Sequence, residues 1–117
     1  MVLELSDENY VEVVEKESRA IFIDFYSPMC GPCQEVIPKL ENIDAFFKNE
    51  ALITKVDITR NPKLAQKYQI QSVPFCVAIS PKDKVVKDYE LGAASVDRYI
   101  AMVQKAQGKG FFSRLFS

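Results

Sequence analysis

Histidine and tryptophan are absent from this 117-residue chain, and cysteine occurs only three times. Each shortage closes off a class of function. Without histidine there is no imidazole to serve as the usual general base beside a nucleophile. Three cysteines are too few, and odd in number, for the disulfide framework of a small secreted scaffold. Structural zinc takes four ligands, and a chain with no histidine and no second cysteine pair does not furnish them; no metal is expected. Fifteen basic residues face sixteen acidic ones, a formal net charge of −1. No basic surplus exists to neutralise phosphates, so no nucleic-acid partner is expected. Nowhere does the chain run to the 18 or so consecutive apolar residues that suggest a membrane helix. The first twenty residues carry Glu4, Asp7, Glu8, Glu12 and Glu15, whereas a secretory leader has a basic start and an apolar middle. The sequence therefore reads as cytoplasmic.

What remains has the balance of a water-exposed globular domain. Apolar residues make up 48% and charged residues 26%, and this length suits one domain with one real core.

Patterning along the chain predicts alternating strands and helices. Residues 2–5 read as a short opening strand. Ser6 offers a cap for a helix over 7–17, with Tyr10, Val13 and Val14 at helical spacing. Residues 20–26, Ala-Ile-Phe-Ile-Asp-Phe-Tyr, are nearly all β-branched or aromatic, which predicts a strand buried on both faces. A helix is predicted from Cys30 to about Lys48, with apolar Val36, Ile37, Leu40, Ile43, Phe46 and Phe47 and with Pro38 inside it. A buried strand over 52–57, a short helix opened by Asn61-Pro62, a buried strand over 74–80 and an alternating edge strand over 85–90 follow. Gly92 breaks that strand, and Ser95 caps a last helix with Val96, Tyr99, Ile100 and Val103 on one face. The order β-α-β-α-β-α-β-β-α predicts an α/β fold, a central mixed sheet with helices on both faces. The turn at 81–84 makes the last two strands antiparallel.

The chemistry concentrates in Cys30-Gly31-Pro32-Cys33. Two unrelated cysteines would account for the letters but not for their place, between a buried strand and the start of a helix. A helix N-terminus presents unsatisfied N–H groups and a positive dipole end, and both stabilise a thiolate. Cys33, one turn on, faces the same way and can close a disulfide with Cys30. Pro32 fixes φ, and Gly31 allows close backbone approach. Asp24 lies in the apolar strand six residues earlier, where burial raises a carboxyl pKa.

At these residues the chain resembles the thioredoxin family. The resemblance runs over nearly the whole chain, about 2–107. It rests on the segment from Ile23 to Cys33, on Pro38, Lys55-Val56-Asp57-Ile58, Asn61-Pro62, Tyr68-Gln69-Ile70, Val73-Pro74 and Gly92, each at the family's spacing. It implies the thioredoxin fold over 1–107. It also implies a protein-disulfide reductase active in electron transport and cell redox homeostasis. Its partners would be protein disulfides and an NADPH-dependent thioredoxin reductase, with no cofactor beyond the Cys30–Cys33 disulfide. By resemblance Cys30 is the nucleophile, Cys33 the resolving thiol, Asp24 the acceptor of the Cys33 proton and Lys55 the partner of Asp24. Met29, Gly31, Pro32, Val73, Pro74 and Gly92 would line the substrate groove, with a cis Val73-Pro74 bond and the Val73 backbone pairing with an extended peptide.

The chain departs from the family pattern at Met29 and Tyr26, where tryptophan is usual, and at Pro28. Cys76 reads as a small buried hydrophobe, with a second redox or regulatory thiol as the alternative. Two other functions compete with reduction. One is a net oxidase or isomerase, which the uncharged Gly31-Pro32 pair does not favour; the other is a redox-independent binding module, which retention of both cysteines does not favour. The tail, 108–117, has Phe111, Phe112, Leu115 and Phe116 on one face if helical. Three fates are open to it: folding back on the domain, docking a partner, or resting on a membrane surface.

Overall fold

The computed structural model describes residues 1–109. Nine elements follow one another: β1 (Leu3–Glu4), α1 (Tyr10–Lys16), β2 (Ala20–Tyr26), α2 (Gly31–Phe47), β3 (Ala51–Asp57), α3 (Pro62–Lys67), β4 (Phe75–Ile79), β5 (Val86–Leu91) and α4 (Val96–Ala106). The strands form one sheet in the order β1-β3-β2-β4-β5. β1 and β2 run parallel to β3, while β4 is antiparallel to both β2 and β5. The sheet is mixed, as expected.

Position in the sheet accounts for the strand sequences. β2 is central, so both of its faces are covered and its first six residues are buried. Ala20 and Phe22 turn to the layer of α2 and α4, with Val36, Leu40, Ile43, Tyr99, Met102 and Val103. Ile21, Ile23 and Phe25 turn to the opposite layer, with Val14 and Leu64 of α1 and α3. β5 is an edge strand, and its alternating sequence leaves Val86, Tyr89 and Leu91 exposed.

Two expectations move. α1 starts at Tyr10, three residues later than predicted, because residues 6–9 close a turn of their own. Ser6 Oγ accepts the Asn9 N–H at 3.2 Å, and Asn9 Oδ1 accepts the Ser6 N–H at 2.8 Å. Asp7, expected in the first turn of α1, instead caps α3: its carboxylate accepts the N–H groups of Lys63 and Leu64 at 3.1 and 2.9 Å. The buried stripe of α4 is Tyr99, Met102, Val103 and Ala106, with Val96 and Ile100 on its flank. α2 runs through Pro38 without interruption, and Phe46 on its outer side is 53% exposed.

Candidate active site around Cys30 and Cys33

The dithiol sits where β2 hands over to α2. Cys30 is the N-cap of α2, with extended backbone, and its Sγ accepts the Cys33 N–H at 3.2 Å. The sulfur thus satisfies one of the N–H groups that a helix start leaves open. Cys33 is fully buried, Cys30 partly so, and the two are joined as a disulfide. The outer sulfur is therefore the one open to attack. Met29, just before it, is 91% exposed.

The loop ahead of β4 faces Cys30. The Val73-Pro74 bond is cis, as the family resemblance implied. The Val73 carbonyl oxygen lies 3.6 Å from Cys30 Sγ. Gly92 at the end of β5 holds this loop from the other side, donating its N–H to the Pro74 carbonyl at 2.8 Å. Gly92 has φ +86°, a conformation that favours glycine. Gly31 needs no such explanation, since a side chain there would meet nothing within 4 Å in this chain. The close approach expected at Gly31 is therefore not to its own fold.

A row of polar side chains crosses the sheet, Asp24 among them on the strand that leads to the dithiol. The register pairs Glu4 with Lys55, Lys55 with Asp24, Asp24 with Cys76, and Cys76 with Glu90, one residue from each strand. Asp24 is fully buried. Burial pushes its carboxyl up to about 7; the hydrogen bond from Cys76 and the charge of Lys55 pull it down, and Glu4 pushes it up. Cys76 Sγ donates to Asp24 Oδ1 at 3.5 Å, while among the described residues no donor reaches Oδ2. An unpartnered buried oxygen near neutrality can take or give a proton.

Lys55 stands beside Asp24 as expected, but its ion pair is with Glu4, at 3.8 Å. Tyr26 donates its hydroxyl to the same carboxylate at 2.9 Å. Sequence reasoning missed Glu4, Glu90 and Tyr99. Glu90 ion-pairs with Arg98 at 2.7 Å, and the Tyr99 hydroxyl accepts the Ala94 N–H at 2.9 Å beside Cys76. No spacing along the chain marks these residues, because strand register brings in Glu4 and Glu90 and the packing of α4 on the sheet brings in Tyr99. Among the described residues no cluster of three metal-ligating side chains gathers, and no helix is long and apolar enough to cross a membrane. Of the tail, residues 110–117 lie outside the described residues.

Comparison with known proteins agrees with this geometry. The family model described as Thioredoxin matches residues 1–105. The thioredoxin-like protein slr0233 of Synechocystis sp. is 35% identical over 69 residues, which cover 59% of this chain and 66% of that protein. Thioredoxin of Staphylococcus aureus is 34% identical over 88 residues, covering 73% of this chain and 83% of its own. The bifunctional thioredoxin reductase/thioredoxin of Mycobacterium leprae is 31% identical over 77 residues, 66% of this chain but 17% of that protein. The match thus spans just under two thirds of the Synechocystis protein and a small part of the Mycobacterium one. The crystal structure of chloroplastic thioredoxin z superposes with a TM-score of 0.81 at 22% identity, over 92% of this chain and 95% of that one, a likeness of fold. With a Cys30–Cys33 disulfide at the head of α2 and a cis-proline loop facing it, this chain belongs to the thioredoxin family of thiol–disulfide oxidoreductases.

Proposed function

We propose that this chain reduces disulfides in other proteins. The observation that carries the reading is the asymmetry of the pair: one sulfur at the surface on a helix N-terminus, the other buried beneath it. In the reduced protein, Cys30 is the thiolate favoured by the helix end. It attacks a client disulfide, forming one S–S bond as another breaks, and the expelled client thiolate takes a proton from water. The Val73 backbone pairs with the extended client peptide across the groove of Met29, Gly31, Pro32 and Pro74. Cys33 then gives its proton to Asp24 and attacks Cys30 Sγ. The Cys30–Cys33 bond forms, the mixed disulfide breaks, and the second client thiolate leaves and is protonated. Two electrons pass from the dithiol to the client.

Regeneration requires a two-electron donor. We propose an NADPH-dependent thioredoxin reductase, a reading supported by the bifunctional Mycobacterium leprae relative named for both activities. The uncharged Gly31-Pro32 pair supports a reductant over an oxidase. A reductant of this kind belongs to a compartment whose thiols are kept reduced, so we place it in the cytoplasm, in redox homeostasis. The segment 108–117 would select a partner or a location and take no part in the chemistry. Truncation after Gly108 should leave insulin reduction intact.

The test is the reduction of insulin with dithiothreitol, or with NADPH and a thioredoxin reductase, followed by precipitation of the freed chain. Wild type should accelerate precipitation and Cys30→Ser should not. Equal rates with and without wild-type protein would overturn the reading, as would full activity in Cys30→Ser.

A further inference from the structure

The polar row across the sheet contains one reactive group that the exchange reaction above does not use. Cys76 is fully buried, is the register partner of Asp24, and donates its S–H to Asp24 Oδ1 at 3.5 Å. Tyr99 of α4 stands on its other side, its ring edge-on to Phe22 with centroids 5.3 Å apart and its hydroxyl held by Ala94. Asp24 Oδ2 meets no donor among the described residues. The two oxygens of one carboxyl are thus made unequal by a single neighbour.

We propose that Cys76 is a positioning residue for thiol–disulfide exchange: its S–H holds Oδ1 and leaves Oδ2 as the oxygen that exchanges a proton with the dithiol. The proposal rests on the reading of Asp24 as the acceptor of the Cys33 proton. A carboxyl with both oxygens undirected can protonate on either and turn about its last bond. One fixed donor removes that freedom. A thiol suits the task because it is a weak donor. An ammonium at the same place would hold the carboxylate ionised through neutrality, and the group could then no longer carry a proton near pH 7. Burial raises the pKa of the Cys76 thiol, and the charge of Asp24 raises it further. It therefore stays protonated, and a donor, while Asp24 titrates.

Other titratable groups lie on the strands and the helix around Asp24. β3 supplies Lys55, whose charge favours the carboxylate; β1 supplies Glu4, whose charge opposes it and ion-pairs with Lys55. β5 supplies Glu90, which lies beside Cys76 and is held by Arg98. α4 supplies Tyr99, which also neighbours Cys76. Of these, only Cys76 donates a hydrogen bond to the carboxyl itself.

The experiment uses the full chain in five forms: wild type, Cys76→Ala, Cys76→Ser, Asp24→Asn and the double variant Cys76→Ala with Asp24→Asn. Cys76→Val fills the space without a donor, should the alanine variant fail to fold. Two quantities are read: the titration midpoint of the Asp24 carboxyl by carbon NMR, and the pH profile of insulin reduction. Loss of the S–H should raise the midpoint by about one pH unit, so that the rate at pH 7 falls about fivefold and recovers in alkali. Cys76→Ser, which keeps a donor, should restore both. Adding Cys76→Ala to Asp24→Asn should change the profile no further. An unmoved midpoint in Cys76→Ala, a serine variant that behaves like alanine, or a change in profile that persists without Asp24 would each overturn the proposal. If Asp24→Asn itself leaves the profile unchanged, the proton-acceptor reading fails and the proposal fails with it. If Asp24→Asn changes the profile and Cys76→Ala does not, the proposal alone fails.

Discussion

Lys55 is the register neighbour of Asp24, and its ammonium lies 3.8 Å from the carboxylate of Glu4. The lysine is partly buried and Glu4 about half exposed, so Glu4 draws the cation toward the sheet edge and away from the interior. Asp24 is left with Lys55 as a charge at a distance and with burial as the dominant influence. This sharing of one cation between two carboxylates sets the first prediction.

Glu4→Gln should lower the Asp24 midpoint from its position near 7, because the opposing charge is removed and Lys55 is released toward Asp24. The acid side of the insulin-reduction profile should move to lower pH. Titration of the labelled Asp24 carboxyl checks this, and a midpoint that rises would refute the sharing.

Asp24→Asn should stabilise the fold in a pH-dependent manner. The folded carboxyl, near 7, sits above its unfolded value of 3.8. Between these values the unfolded chain binds fewer protons than the folded one, so wild-type stability falls as pH rises through the window. Below the window Asp24 is neutral in both states and the substitution should change little. Above pH 7 it should gain up to about 4 kcal/mol, because each pH unit between the folded and unfolded midpoints corresponds to about 1.4 kcal/mol. Urea unfolding at pH 4 and pH 8 measures the difference, and a gain that is equal at both would contradict the assignment.

Cys33→Ser should arrest the exchange halfway. Cys30 retains the outer, partly buried position and the helix N-terminus, while no second thiol remains to release the client. Client proteins should accumulate as mixed disulfides that dithiothreitol releases. Adducts forming equally well on Cys30→Ser would reverse the two roles.

Gly92→Ala should destabilise the chain by about 1 kcal/mol, through backbone strain rather than a clash. The position has φ +86°, and a side chain there would meet nothing within 4 Å. Its N–H holds the Pro74 carbonyl, a bond that alanine keeps only under strain, so client reduction should also weaken as the loop shifts. Urea midpoints and insulin reduction together check this; an unchanged midpoint would show that the turn relaxes at no cost.

Much of this protein could be read before its structure was known. The order of elements, the mixed sheet and the edge position of β5 follow from periodicity, since strand residues repeat every second position and helix residues every third or fourth. Cys30, Cys33 and Asp24 were legible because their chemistry conflicts with their surroundings: a thiol pair at a helix start and an acid in an apolar strand. Local sequence misled where a side chain served a distant element. Asp7 looks like a first-turn residue of α1, yet it caps α3, 57 positions away from Leu64. Cys76 looks like a small hydrophobe, and it is buried like one, but the register sets its S–H against Asp24.

The sequence by itself determined which segments pair with water and which with one another, and therefore the layers, the central strand and the place of the dithiol at a strand-to-helix junction. These are properties of spacing, and spacing is written along the chain. Only the tertiary structure decided the row Glu4, Lys55, Asp24, Cys76 and Glu90, because strand register brings together residues from five separate strands. The charge and hydrogen-bonding around Asp24, and with them its readiness to carry a proton near neutrality, arise from that row. Coulomb and hydrogen-bond energies depend on distance in space, which the order of residues does not contain.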